Sequence, residues 1–60
     1  MLVVVAVQGG KPKGYVNEVR GDYIISFNGY TSYKNQDEAQ SACDRATRVH
    51  PEYVFTIETL

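Results

Sequence analysis

The sequence predicts an α+β fold: a mainly antiparallel sheet of four to five strands with one helix packed on one face, in the order β-β-β-β-α-β. Three observations carry this. Leu2 to Val7 is an unbroken apolar run rich in β-branched residues, the pattern of a strand that lies centrally in a sheet or is covered on both faces. Tyr15 to Lys34 alternates apolar and polar residues and is punctuated by Gly21-Asp22 and Asn28-Gly29, which reads as a meander of hairpins. Asn35 to Val49 alone repeats small apolar residues at helical spacing.

A chain of 60 residues holds one domain at most, here residues 1–60, and buries only about 60% of the surface its unfolded form exposes. Small domains usually need a staple. Cys43 is the only cysteine and His50 the only histidine, so neither an intramolecular disulfide nor a Cys/His zinc site is available. A second copy of the chain or a larger partner is the remaining aid. The lone thiol suits a reducing compartment. The run at Leu2 to Val7 has no basic residues before it and is too short for a secretory signal, and no stretch approaches the roughly 20 apolar residues of a membrane span. The expected location is cytoplasmic, with no membrane partner.

Net charge is −1 and the seven acidic residues are scattered. The first fact argues against a phosphate-binding surface for nucleic acid, and the second against a DNA mimic.

Taken in order, Leu2 to Val7 is the first strand, and Gln8 to Gly14, with three glycines and Pro12, is a flexible loop. If Gly21-Asp22 and Asn28-Gly29 are two-residue turns, Arg20 faces Tyr23, Val16 faces Phe27 and Phe27 faces Tyr30. Directly opposed residues share a face. One face then carries Val16, Tyr23, Ile25, Phe27 and Tyr30, and the other Tyr15, Val19, Ile24 and Tyr33. The tripeptide Arg20-Gly21-Asp22 reads as part of a turn, not as an adhesion signal.

The helix opens on Asn35 as N-cap, with Glu38 three residues on and Asp37 in the first turn, both favourable near its positive end. Ala39, Ala42, Cys43, Ala46 and Val49 form its apolar stripe, and Asp44 and Arg48 are spaced to pair. Pro51 ends it. Glu52 to Leu60 alternates as a last strand, with Tyr53, Phe55 and Ile57 on one side. The stripe has little bulk, so the sheet must supply it: Ile25, Phe27, Tyr30, Phe55 and Ile57 are the expected core. If the strands flanking the helix are parallel, their connection is right-handed.

Residues for chemistry do not assemble. Cys43 and His50 are seven apart on one helix, about 10.5 Å along its axis, too far for a nucleophile–base hydrogen bond. Cys43 is better explained as a small buried hydrophobe, and His50 as a residue at the helix C-terminus that stabilises the dipole. Asp37 and Glu38 diverge as neighbours on a helix. The glycines and lysines of Gln8 to Gly14 do not have phosphate-loop spacing. No catalytic residue, metal ligand or cofactor is expected. Five tyrosines without tryptophan are the more informative feature, because tyrosine suits interfaces and can also stack on bases.

Two family resemblances accompany this reading. Gly29 to Val49 resembles the third strand and helix of plant ethylene-response-type DNA-binding domains, although the basic and tryptophan residues those domains use have no counterpart here. Tyr23 to Glu58 resembles small phage-encoded inhibitors of host RNA polymerase, through Asp37-Glu38-Ala39, the break at Pro51 and the alternation around Val54 and Thr56. The second resemblance implies a protein that binds and disables one host target.

The function expected is therefore that of a non-enzymatic protein-binding module, an inhibitor or modulator of a host protein such as the transcription machinery. It acts through the sheet face that the helix leaves uncovered, with Tyr15, Val19, Ile24 and Tyr33 as anchors and Arg20 and Lys34 on the rim. Its partner is a host protein or a second copy of the chain. The alternative is a small module that reads DNA or RNA through its tyrosines, which the net charge disfavours.

Overall fold

The computed structural model describes all 60 residues. The fold class is as expected. Strands β1 (Leu2–Gln8), β2 (Lys11–Val19) and β3 (Asp22–Ser26) precede helix α1 (Gln36–Val49), and β4 (Val54–Thr59) follows it. The strands make one four-stranded sheet in the order β3-β2-β1-β4, antiparallel at every pairing. The apolar run is thus the central strand. Because β3 and β4 lie at opposite edges and run in opposite directions, the helical connection crosses the whole sheet and is not a parallel crossover.

Two turns differ from expectation, and backbone conformation explains both. Gly9 and Gly10 both have positive φ (61° and 76°), the requirement of the tightest hairpin turn. The chain reverses there, and β2 begins at Lys11 in place of the expected loop. Pro12 is tolerated because β3 ends opposite Tyr15, which leaves that stretch of β2 as a sheet edge. The second turn sits at Arg20-Gly21 (φ 52° and 84°), one residue earlier than Gly21-Asp22, so Val16 faces Ile25 and Glu18 faces Tyr23. The pairing slides by two residues, and a slip of two keeps each side chain on its face.

The second expected hairpin, at Asn28-Gly29, does not form. Asn28 and Gly29 lack positive φ, and the Ser26 hydroxyl accepts from Asn28 N–H at 3.0 Å, turning the chain out of the sheet. Tyr30 to Lys34 is therefore not a strand. It is a wedge between β1 and β2, which diverge beyond Val5 and Tyr15. Thr31 holds β2: its N–H reaches Val16 O at 3.1 Å, and its Oγ1 accepts from Glu18 N–H at 2.8 Å. Tyr33 holds β1, exchanging backbone bonds with Leu2. The divergence starts near a bulge at Ala6/Val7. There Gly14 has φ 151°, and a Cβ would lie 2.9 Å from Ser26 N, so only glycine fits.

Helix α1 is capped as expected, with Asn35 Oδ1 accepting from Glu38 N–H at 2.9 Å. Its buried residues are Ala39, Ala42, Cys43 and Ala46. Val49 is exposed, and Asp44 accepts from Gln40 at 3.1 Å instead of pairing with Arg48. The helix lies over β1 and β4 and packs on Val4, Val16 and Tyr33, with Leu2, Tyr23, Ile25, Phe55 and Ile57 at the margin. Small helix residues do meet a bulkier sheet. Phe27 and Tyr30 are not part of that core, however. Phe27 is 65% exposed, since after Ser26 the chain no longer follows the strand alternation that would point it inward.

Candidate protein-binding face

Strand register fixes which side chains turn away from the helix: Val3, Val5 and Val7 on β1, Tyr15, Asn17 and Val19 on β2, Ile24 and Ser26 on β3, and Val54, Thr56 and Glu58 on β4. The loop after β3 folds back over part of this face. The Tyr15 ring meets Phe27 edge-on (centroids 6.4 Å, 81°) and Tyr30 at a tilt (5.5 Å, 58°). A Cβ on Gly29 would sit 3.0 Å from Asn17 Nδ2, so the loop passes directly over the sheet. Beside this aromatic wall runs an open groove of about 430 Å³ whose floor is Val5, Val7 and Thr56 and whose rim includes Pro12, Phe27 and Leu60. Burying such a floor and wall removes apolar surface from water, the main source of association energy.

Of the residues expected at a binding surface, Tyr15 stands at the groove. Val19 and Ile24 are exposed on the same face, farther out on the β2–β3 hairpin. Arg20 is in the turn and Lys34 lies just before the helix cap, both exposed. Tyr33 is a correction. It is 8% exposed and belongs to the core beneath the helix, because the wedge turns it to that side. Phe27, Pro12, Val5, Val7 and Thr56 were missed; the two-residue period of a strand, which turns Val5 and Val7 away from Val4, is the signal that could have found those two, but nothing in the sequence shows that the loop brings Phe27 alongside.

A second, polar cluster lies on the helix side. The Tyr33 hydroxyl donates to Glu18 Oε2, Arg45 Nε donates to the Tyr23 hydroxyl, and Arg45 Nη2 stands 4.0 Å from Glu18 Oε1. Burial, then the bond to Glu18, pushes the Tyr33 phenol well above its ordinary pKa. Burial also raises the pKa of the Cys43 thiol, with Asp44 adding to it, so neither group is poised as a nucleophile near neutral pH. His50 Nε2 lies 2.6 Å from Tyr23 O, while Nδ1 faces Glu52 Oε2 at 3.7 Å. This imidazole ties the helix end to β3. No three His, Cys, Asp or Glu side chains converge as metal ligands, and no helix is long and apolar enough to cross a membrane.

No protein-family model matches the chain, and neither a curated protein nor a solved structure is similar to it.

Proposed function

We propose that the protein is a non-enzymatic binding module that docks a partner protein on the face opposite the helix. The observation that carries this is the groove of about 430 Å³ beside the Tyr15–Phe27–Tyr30 cluster. Aromatic anchors next to an apolar floor are the usual centre of a protein interface, and Val19 and Ile24 extend the apolar surface. In its narrower form, which rests on the resemblance to phage inhibitors, the partner is a host protein such as a component of the transcription machinery, and binding inhibits or modulates it in the cytoplasm.

The test compares capture from cell lysate by the parent chain, by a variant carrying Phe27→Ala and Ile24→Ser, and by Arg48→Ala on the helix exterior. A partner held by the parent and by Arg48→Ala but lost by the double variant supports the reading. Equal capture by all three overturns it. Salt-sensitive binding of labelled single-stranded or duplex nucleic acid, with no protein captured, favours the nucleic-acid alternative.

A further inference from the structure

The two edges of the sheet are not equivalent. Between β1 and β4, Leu60 N–H donates to Met1 O at 2.9 Å, and the register runs unbroken from Leu2↔Thr59 to Val7↔Val54. Bonded and non-bonded pairs alternate along an antiparallel ladder. The backbone groups of Glu58, Thr56 and Val54 therefore turn inward to β1, and those of Phe55, Ile57 and Thr59 turn outward. Leu2, opposite Thr59, confirms the phase by spending its own N–H and C=O on Tyr33. The outward groups of Phe55, Ile57 and Thr59 meet no partner.

On β3 the same counting from the Val19↔Asp22 closing pair turns Tyr23 outward, and its carbonyl is taken by His50 Nε2. That edge is stoppered by the end of the helix. Nothing comparable guards β4. Val54–Thr59 contains no proline, lysine or bulge, and Glu58 is its one charge. Unguarded, regular edges are templates for another strand.

We infer that β4 pairs antiparallel with β4 of a second copy of this chain, about a two-fold axis through Thr56. The occupant follows from self-complementarity. In this register the outward groups of Phe55 face those of Ile57 in the second copy, and the reverse, so each pair exchanges two backbone bonds. Phe55 and Ile57 both lie on the helix side, giving two aromatic–aliphatic pairs, and Thr56 meets Thr56 on the axis; both kinds of pair are favourable. Val54 faces Glu58. Centring on Ile57 loses both aromatic pairs, and centring on Glu58 opposes like charges. Each helix lies above β1 and β4, so the two would stand about 10 Å apart, the spacing of packed helices. The pairing uses the backbone edge of β4 and shares with the proposed binding groove the residue Thr56 on the axis; the backbone exchange at Phe55 and Ile57 reports the pairing separately from that groove.

The experiment is sedimentation of the full chain from micromolar concentration to about 1 mM, with amide hydrogen exchange at both ends of the range. The expected mass rises toward twice the 6.7 kDa of one chain. Exchange at Phe55 and Ile57 slows by about tenfold or more with concentration, while Thr56 and Glu58, bonded to β1, are protected throughout. Thr56→Lys, which opposes two lysines on the axis, stays monomeric, and so does Thr56→Glu; mixing the two restores the dimer. A monomer at the highest concentration overturns the inference. So does a dimer whose Phe55 and Ile57 amides exchange freely, or one that survives Thr56→Lys.

Discussion

The two faces of the sheet solve the same problem with opposite means. Under the helix, side chains are small and wholly enclosed: Ala39, Ala42 and Ala46 press on Val4 and Val16, all without exposed surface. Across the sheet, larger side chains are left half-open, Phe27 and Tyr30 leaning on Tyr15. The most completely buried side chains are thus small ones, with Tyr33 the one large residue among them, and the aromatic residues of the open face are free to meet something else.

The sharpest way to break that contrast is Val16→Ala, which empties a site at the centre of the covered face. Loss of two buried methyl groups plus the cavity is expected to cost about 2–3 kcal/mol, read as a lowered denaturant midpoint. Next is Ala42→Leu, which adds bulk where helix and sheet touch. Overpacking there is expected to cost about 1–3 kcal/mol, and a lowered thermal midpoint with an unchanged circular dichroism spectrum would report it.

Tyr33 offers a subtler probe from the same side. Its phenol is held neutral, with a pKa raised by burial and by Glu18. The stability it supplies is complete below the ordinary tyrosine pKa of about 10 and is lost as pH climbs beyond it. Alkaline unfolding monitored by circular dichroism is expected to be steeper in the parent than in Tyr33→Phe. At neutral pH that variant is expected to lose about 1 kcal/mol with the hydrogen bond.

The smallest effect belongs to the open face. Phe27→Ala is expected to change stability by less than about 1 kcal/mol, although a buried phenylalanine would cost several times that. A chemical melt of this variant beside Val16→Ala compares the faces directly, and a larger loss for Phe27→Ala would reverse the contrast.

What the sequence disclosed depended on how local the deciding physics was. The Asn35 cap, the alanine stripe and the centrality of Leu2 to Val7 are properties of short windows, and each appears in the structure. The Arg20-Gly21 turn was placed one residue late because Arg20 carries no preference for positive φ and adopts it only where the hairpin closes. Asn28-Gly29 carries the preference and does not use it. Its neighbourhood is decided by Ser26 on one side and by distant Leu2 on the other. Tyr33 was assigned to the wrong face for the same reason: a wedge between two strands has no signature in the residues that form it. Within the candidate interface, Tyr15, Val19 and Ile24 were legible from alternation, and Phe27 was not, because it lies just past the point where alternation ends.

The strand order has a bearing on how the chain is made. The most apolar segment, Leu2 to Val7, emerges before the other three strands and is destined for the middle of the sheet, yet one of its two neighbours is β4, the last of the four to be made. The β1–β2–β3 meander can assemble as soon as it leaves the ribosome, but one side of β1 then has no neighbour, and both of its faces are bare, until α1 and β4 follow. Long-range pairings of this kind form late and slow folding. In the interval the nascent protein shows an adhesive valine strand to its surroundings. Slow translation of residues 36–60 would therefore be expected to lower the soluble yield, whereas slowing over residues 1–26 would not.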